Sequence, residues 1–358
     1  MNTFTQELRH RGVSIWLDNI TRKMLDQGVL QQYIARLSVT GLTSNPSIFE
    51  AAIAKTSDYD TAIKNISQSG ISDEEVFFSL AIEDIQRAAD LFMPVFSQTN
   101  GLDGFVSIEV SPRLAYDTEN TLKAARDIHH KVDRPNVFIK IPGTPEGLPA
   151  IEKAIAAGIP VNVTLLFSAE QYEAAAMAYL RGIEARIANN LNPDVRSVAS
   201  VFVSRWDKAV ADKADPGIAN KMGIAVMQKT YHTYKTFLLS ERVQRVMNFG
   251  VSPQRLLWAS TGTKDPNASD ILYVKSLVAP FTVNTIPENT LLAFADHGET
   301  GELLSDDVAL ADHIISQYAE RSVKYDQLAA QLQAEGAEAF NKSWDNLINS
   351  IAEKRKKL

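Results

Sequence analysis

The chain has 358 residues, of which 45% are hydrophobic and 22% charged, as in an average globular protein. It contains no cysteine, which excludes disulfides, thiolate nucleophiles and cysteine-ligated metals. Its net charge of −7 argues against a general nucleic-acid-binding protein. No apolar run reaches the roughly 18 residues of a membrane span, and residues 1–11 lack the apolar core of a secretion signal. We therefore expect a cytoplasmic protein without nucleic-acid or membrane partners.

Short apolar runs alternate with longer amphipathic segments along the whole chain. We predict eight strands, at 13–18, 38–42, 104–110, 136–142, 160–165, 197–203, 255–260 and 281–285. Helical patterns separate most of them, such as 118–130 and 168–187, and the second opens with the capping-box pair Ser168 and Gln171. Strand–helix alternation indicates parallel strands joined by crossovers. Eight such units favour an α/β fold with a single closed (β/α)8 TIM barrel over an open doubly wound sheet.

The chain shows no Gly/Ser-rich or Pro-rich linker that would divide it. We therefore expect one barrel domain over residues 1–358. Two stretches between strands are longer than one helix needs, and they predict helical insertions near 48–100 and 208–250. A helical extension is expected after the last strand.

Lys140 is the only cation in an apolar run, Val137 to Ile141, that ends at Pro142. The run is typical of a buried strand. A buried lysine is either a paired structural cation or an amine desolvated enough to act as a nucleophile. Taken alone, the run favours the structural interpretation.

Polar residues recur at the ends of the predicted strands, where a (β/α)8 barrel has its active site. They are Asp18, Asn45, Glu109, Lys140, Asn162, Thr164, Ser200, Arg205 and Ser260. Each has a structural explanation: Asp18 could cap a helix, Asn45 could form a turn, and Glu109 could simply neutralise Lys140. Their joint occurrence at corresponding positions is harder to explain in this way. A lysine beside carboxylates suits Schiff-base chemistry on a carbonyl compound, with the carboxylates moving protons.

At these residues the chain resembles the transaldolase family of Schiff-base-forming class I aldolases. Three blocks carry the resemblance, residues 41–48 (GLTSNPSI), 138–147 (FIKIPGTPEG) and 161–168 (VNVTLLFS). The resemblance extends from about Ser14 to His297, and three long blocks in order make it specific. It implies a (β/α)8 barrel that acts in the pentose phosphate pathway without a cofactor or metal. The implied reaction transfers a dihydroxyacetone unit from sedoheptulose 7-phosphate to glyceraldehyde 3-phosphate, giving erythrose 4-phosphate and fructose 6-phosphate.

The resemblance also implies a role for each residue. Lys140 would form the Schiff base, and Asp18 would take the hydroxyl proton that starts carbon–carbon cleavage. Glu109 would position a water together with Thr164. The residues implied to bind the sugar phosphate are Asn45, Asn162, Ser200, Phe202, Arg205 and Ser260, with the phosphate on Arg205.

One position departs from the family. Many transaldolases have an arginine where this chain has Gly262, and Lys264 is the nearest cation. Lys264 either replaces that arginine at the phosphate or is an ordinary surface lysine. We take the first interpretation as the working hypothesis.

Several alternatives remain open. The related fructose 6-phosphate aldolases release the three-carbon unit, but they are shorter and typically carry Gln and Tyr where this chain has Glu109 and Phe202. A phosphosugar isomerase could use Glu109 as its base with Lys140 as an electrostatic partner. A non-catalytic sugar-phosphate-binding barrel is the third alternative. The histidines lack the spacing of a metal site, and both a monomer and a homodimer remain open.

Overall fold

Eight parallel strands close into a barrel, in sequential order around the ring. The computed structural model describes residues 2–67, 70–305 and 307–358; residues 68 and 69, within the expected 48–100 insertion, lie outside the described part. The strands are β1 (Val13–Asp18), β2 (Val39–Thr43), β3 (Val106–Glu109), β4 (Val137–Pro142), β5 (Val161–Leu166), β6 (Ser197–Phe202), β7 (Arg255–Ala259) and β8 (Thr282–Ile286). Every predicted strand is confirmed, with bounds that differ by at most two residues. The predicted (β/α)8 TIM-barrel class is therefore confirmed.

Helices surround the barrel and fill the long connections. They are α1 (Thr3–His10), α2 (Arg22–Asp26), α3 (Val29–Arg36), α4 (Pro46–Lys55), α5 (Asp60–Ser67), α6 (Asp73–Gln98), α7 (Thr118–Val132), α8 (Gly147–Ala156), α9 (Ala169–Ala188), α10 (Ser204–Ala209), α11 (Met222–Leu238), α12 (Glu241–Met247), α13 (Leu272–Ser276), α14 (Glu288–His297), α15 (Ala309–Glu320) and α16 (Tyr325–Lys357). Short 3-10 turns lie at Pro112–Leu114 and Ala211–Lys213. Helices α4–α6 occupy the connection between β2 and β3, and α10–α12 that between β6 and β7. In the described part of the chain, no helix has the length and apolar character needed to cross a membrane.

The predicted capping box at the start of α9 is only half present. The Ser168 hydroxyl caps the helix by accepting a hydrogen bond from the backbone N–H of Gln171, at 3.2 Å. The Gln171 side chain, however, accepts from the N–H of Phe167 at 2.7 Å instead of from that of Ser168. The Gln171 side chain therefore bonds the backbone one residue earlier than a capping box would. This bond satisfies the N–H of Phe167.

Aromatic rings fill the middle of the barrel. Side chains two apart along a strand share a face, so Trp16 on β1 lies one layer below Asp18, and Phe138 on β4 lies one layer below Lys140. The rings of Phe105 and Phe138 stack with centroids 4.1 Å apart, and Trp16 lies 6.1 Å from Phe138. Trp16 depends on Gly41 of β2, because a Cβ there would lie 2.5 Å from its indole ring. These three rings form a buried layer directly below the polar residues at the strand ends, and we call this layer the aromatic floor.

A buried ionic cluster closes the amino-terminal end of the barrel. The Arg255 guanidinium lies 3.5 Å from an oxygen of Asp103, and it donates to Ser14 Oγ at 2.7 Å. Asp103 also accepts from Trp16 Nε1 at 2.8 Å. Since the side chains of Arg255 and Asp103 are 6% and 9% exposed, each charge depends on its partners for solvation.

We expect Asp103→Asn to lower the free energy of unfolding by about 3 kcal/mol, because it leaves the buried Arg255 without its counter-charge. Urea denaturation measures this loss. The matched control is Asp90→Asn, which breaks the exposed Asp90–Arg134 pair and should cost under about 1 kcal/mol. Equal losses in the two variants would contradict the interpretation.

Candidate active site

A pocket of about 640 Å³ opens at the carboxyl ends of the strands. Eight residues singled out from the sequence line it: Asp18, Asn45, Lys140, Ser200, Phe202, Arg205, Ser260 and Lys264. The other three, Glu109, Asn162 and Thr164, are not part of this lining and are nearly inaccessible to solvent. Glu109 and Asn162 are the register partners of Lys140 on β3 and β5. Strand pairing therefore brings together residues that are far apart in sequence.

The Lys140 amine lies at the floor of the pocket. Its Nζ is 2.7 Å from Glu109 Oε1 and donates to the carbonyl oxygen of Ser44 at 3.1 Å. The side chains of Lys140 and Glu109 are only 7% and 9% exposed. The ring centroid of Phe340, from α16, is 5.8 Å from the same Nζ. A small molecule in the pocket would meet this amine with little water around it.

The Glu109 carboxyl group is poised to accept a proton. Burial raises its pKa and Asp18 adds to the rise, whereas the neighbouring Lys140 opposes it. Its carboxylate is therefore a better proton acceptor than an exposed glutamate. Among the described residues, neither Glu109 Oε2 nor the buried Thr164 hydroxyl has a hydrogen-bond partner. Buried polar atoms are normally bonded, so these two atoms are available to a small polar ligand.

Asp18 lies on another wall of the pocket, held by its neighbours. Thr43 Oγ1 donates to its Oδ1 at 2.9 Å, and Thr43 and Thr285 are hydrogen-bonded at 2.6 Å. Burial raises the pKa of Asp18, and the charges of Lys140 and Lys264 lower it to a smaller extent. Its carboxylate is therefore a stronger base than that of an exposed aspartate.

Asn45 makes one contact that caps a helix and another that lies within the pocket. Its side-chain oxygen accepts from the backbone N–H of Ile48 at 3.2 Å and so caps α4. Its side-chain nitrogen lies 3.5 Å from Asp18 Oδ1. The turn and the site interpretations of this residue are therefore compatible, because capping fixes the orientation of the amide.

Asn162 and Ser200 form a chain of hydrogen bonds inside the barrel. The Asn162 amide donates to Ser107 Oγ at 3.1 Å and accepts from Ser200 Oγ at 2.7 Å. Both ends of the Asn162 amide are therefore bonded to serine hydroxyls. Ser107 lies two residues before Glu109 on β3, so strand alternation could have identified it from the sequence.

Two cations line one wall of the pocket. Arg205 lies with its guanidinium carbon 5.8 Å from the ring centroid of Phe202, and burial lowers its pKa while Glu335 opposes this. Lys264 follows β7 in an exposed position. The Lys264 ammonium lies 3.8 Å from the position that a Cβ at Gly262 would occupy. It thus reaches the space into which a side chain at residue 262 would extend.

Sequence reasoning missed several residues of the site. Thr43 is the last residue of β2 and Thr285 the next-to-last of β8, so the strand-end rule that found Asp18 would also have found them. Lys55, at the end of α4, and Phe340, on α16, line the pocket from helices, and no strand pattern marks them. Across the described residues, no group of three His, Asp or Glu side chains is placed to hold a metal ion.

The chain is similar to known proteins over almost its whole length. The sequence profile of the transaldolase/fructose-6-phosphate aldolase family matches residues 15–351. A protein of Thermobifida fusca named transaldolase is 44% identical, over 99% of this chain and 98% of its own. Transaldolases of Kocuria rhizophila and Trichodesmium erythraeum are 42% and 41% identical, each over 98% of this chain and 98% and 97% of their own lengths.

The raised pKa of Asp18 predicts a pH-dependent gain in stability for Asp18→Asn. A carboxyl group whose folded pKa is raised stabilises the fold at low pH, and that contribution is lost as the pH rises through the folded pKa. Asn carries no charge at any pH, so the variant should be more stable than the parent at neutral pH. The difference should shrink as the pH falls toward about 4, the pKa of an unfolded aspartate.

Urea denaturation across this pH range measures the difference. Asp127→Asn, which removes an exposed charge on α7, is the control and should show no such growth with pH. A constant difference for Asp18→Asn would mean that burial of the charge is not the cause.

Proposed function

The chain belongs to the transaldolase/fructose-6-phosphate aldolase family, and we propose that it transfers a dihydroxyacetone unit between sugar phosphates through a Schiff base on Lys140. The curated relatives support transaldolase activity. The donor would be sedoheptulose 7-phosphate and the acceptor glyceraldehyde 3-phosphate. The observation that carries the proposal is the Lys140 amine at the pocket floor, 2.7 Å from Glu109 and in the same pocket as Asp18.

Schiff-base formation is the first step. The neutral amine of Lys140 attacks the C2 carbonyl of the donor, after its extra proton has passed to Glu109. Glu109 then returns a proton so that the carbinolamine loses water. Glu109 Oε2 and the Thr164 hydroxyl have no partner among the described residues, and we propose that they bind a water for these proton transfers.

Carbon–carbon cleavage follows. Asp18 accepts the proton of the C4 hydroxyl, the C3–C4 bond breaks, and the aldehyde product leaves. The electron pair remains on the lysine-bound three-carbon unit as an enamine, with the protonated imine as its electron sink. Asn45, Asn162 and Ser200 would hold the hydroxyl groups of this unit, since Asn45 and Ser200 line the pocket and Asn162 is the register partner of Lys140. A base of raised pKa suits this step near neutral pH.

Transfer completes the cycle. The enamine attacks the aldehyde carbon of the acceptor, Asp18 returns the proton to the new hydroxyl, and hydrolysis of the imine frees Lys140. Arg205 and Lys264 would bind the phosphate group that the donor and the acceptor each carry, and Ser260 and Phe202 line the same pocket. We also place this activity in the cytoplasm, where phosphorylated sugars are retained by their charge.

Borohydride reduction in the presence of fructose 6-phosphate tests the lysine directly. Borohydride converts an imine to a stable amine, so peptide mass mapping should find a three-carbon adduct on Lys140. Turnover without an adduct would overturn the Schiff-base proposal.

Lys140→Arg separates the transferase from an isomerase that uses Glu109 as its base. Arginine keeps the positive charge next to Glu109 but does not form the imine, so transfer should fall by at least about 10⁴-fold, as for loss of a covalent catalytic group. Transfer is measured by following erythrose 4-phosphate production with a second enzyme that consumes this product. Retained turnover would favour the isomerase mechanism.

Lys264→Ala tests the second half of the phosphate site. We expect kcat/KM for glyceraldehyde 3-phosphate to fall about tenfold, which corresponds to about 1.4 kcal/mol. Unphosphorylated glyceraldehyde should be affected less than about twofold, because it has no group for the ammonium to bind.

Lys123→Ala is the matched control, since Lys123 is exposed on α7 and lines neither the pocket that contains Lys140 nor the adjoining cavity, which Arg205 and Lys264 also line. It should leave both acceptors nearly unchanged. An equal loss for both acceptors with Lys264→Ala would show that this lysine acts on the fold or on Asp18 rather than on phosphate.

A further inference from the structure

Helix α16 covers the carboxyl end of the barrel, although it lies far from the strands in sequence. It packs along α4, which begins at Asn45, and it also contacts α6 and β5. Of its residues, Phe340 lines the pocket. The Phe340 side chain is almost fully buried, with 8% of the residue exposed, and its ring centroid is 5.8 Å from Lys140 Nζ. An apolar ring therefore faces the nucleophilic amine from outside the barrel.

One end of α16 is bonded to Gly143, directly after β4, and to Leu165, near the end of β5. The buried Gln333 amide donates to the carbonyl oxygens of Gly143 at 3.1 Å and of Leu165 at 2.9 Å. Leu165 has a φ of 59°, a left-handed conformation that is unfavourable for leucine. Because Leu165 directly follows Thr164, this bond ties the helix to the strand end that carries a site residue.

The other end of α16 is tied to the helices that follow β2. Ser343 and Ser47 are hydrogen-bonded at 3.0 Å, and the Trp344 ring packs edge-on against Phe77 at 5.0 Å. Arg355 pairs with Asp73 at 2.5 Å. Contacts on both sides of Phe340 therefore hold its ring over the pocket.

We propose that Phe340 is a specificity-determining residue that favours transfer of the lysine-bound three-carbon unit over its release. The proposal rests on the proposed Schiff-base function. The enamine must survive between departure of the first aldehyde and arrival of the second. The ring of Phe340 limits the access of solvent to the lysine-bound unit during that interval.

The competing reaction is release of dihydroxyacetone. The enamine carbon C3 takes a proton from solvent, which gives the imine of dihydroxyacetone. Water then adds to C2, the carbinolamine breaks its C–N bond, and dihydroxyacetone leaves while Lys140 recovers its free amine. The water consumed balances the water lost when the donor imine formed, so the net reaction is cleavage of the donor. Transfer also ends in hydrolysis of an imine, so protonation of C3 is the step that distinguishes release from transfer. That proton comes from solvent, and the Phe340 ring, 5.8 Å from Lys140 Nζ, covers this part of the pocket.

The experiment measures the ratio of turnovers that end in release to turnovers that end in transfer. With fructose 6-phosphate as donor and erythrose 4-phosphate as acceptor, dihydroxyacetone release and sedoheptulose 7-phosphate formation are counted in the same sample. We expect Phe340→Ala to raise the ratio of release to transfer about tenfold, because it leaves room for several waters of about 30 Å³ each. Phe340→Leu should raise it less, since leucine restores part of the apolar cover.

The ratio does not depend on how much of the variant is folded, because both products come from the same active molecules. Leu347→Ala is the control: Leu347 is fully buried on α16 but does not line the pocket, so its ratio should match that of the parent. If Phe340→Ala is inactive, the ratio measured with Phe340→Leu tests the proposal. An unchanged ratio in an active variant, or an equal rise with Leu347→Ala, would overturn the proposal. Failure of the proposed function is distinct, because the parent protein would then show no transfer.

Discussion

The buried pair of Lys140 and Glu109 is the interaction on which the site depends. Removing two charges from water costs several kcal/mol for each, so the pair persists only where the fold supplies compensation. Here the compensation is a contact of 2.7 Å between register partners on adjacent strands, together with the carbonyl oxygen of Ser44. The aromatic floor keeps water away from below. The same arrangement that makes the pair costly also lets a proton pass between its members.

The barrel interior contains a second buried ionic group, and the contrast with Lys140 shows what makes a site reactive. At the amino end, the terminal nitrogens of Arg255 donate to Leu102 O at 3.0 Å, Ser14 Oγ at 2.7 Å and Thr282 O at 3.0 Å. Arg255 Nε has no hydrogen-bond partner among the described residues, but Arg255 does not line the pocket that contains Lys140. At the carboxyl end, Glu109 Oε2 and the Thr164 hydroxyl have no partner among the described residues. Unbonded buried polar atoms therefore occur at both ends, and the carboxyl end differs because its buried cation, Lys140, lines a pocket.

The strand positions and most of the pocket could be predicted because both follow local rules. Period-two alternation placed Lys140 above Phe138, and the strand-end rule gathered Asp18, Lys140 and Ser200. Cover from α16 could not be predicted, because the docking of a distant helix depends on packing that no periodicity encodes. Gly262 was visible as a departure, but only the fold shows that Lys264 reaches the same space. Local pattern thus determines which residues stand at the site, and tertiary packing determines what encloses them.

The enclosure of the site from solvent bears directly on the difference between a transferase and a lyase that both act through the same kind of lysine imine. Both need the lysine, a proton acceptor and a base, and all of these come from strand ends. A transferase must in addition delay protonation of its enamine until an acceptor aldehyde arrives. The carboxyl end of a (β/α)8 barrel is open by construction, so strands alone do not provide that delay. The cover has to come from chain outside the barrel, and in this protein the long helix after β8 supplies a buried aromatic ring next to the amine.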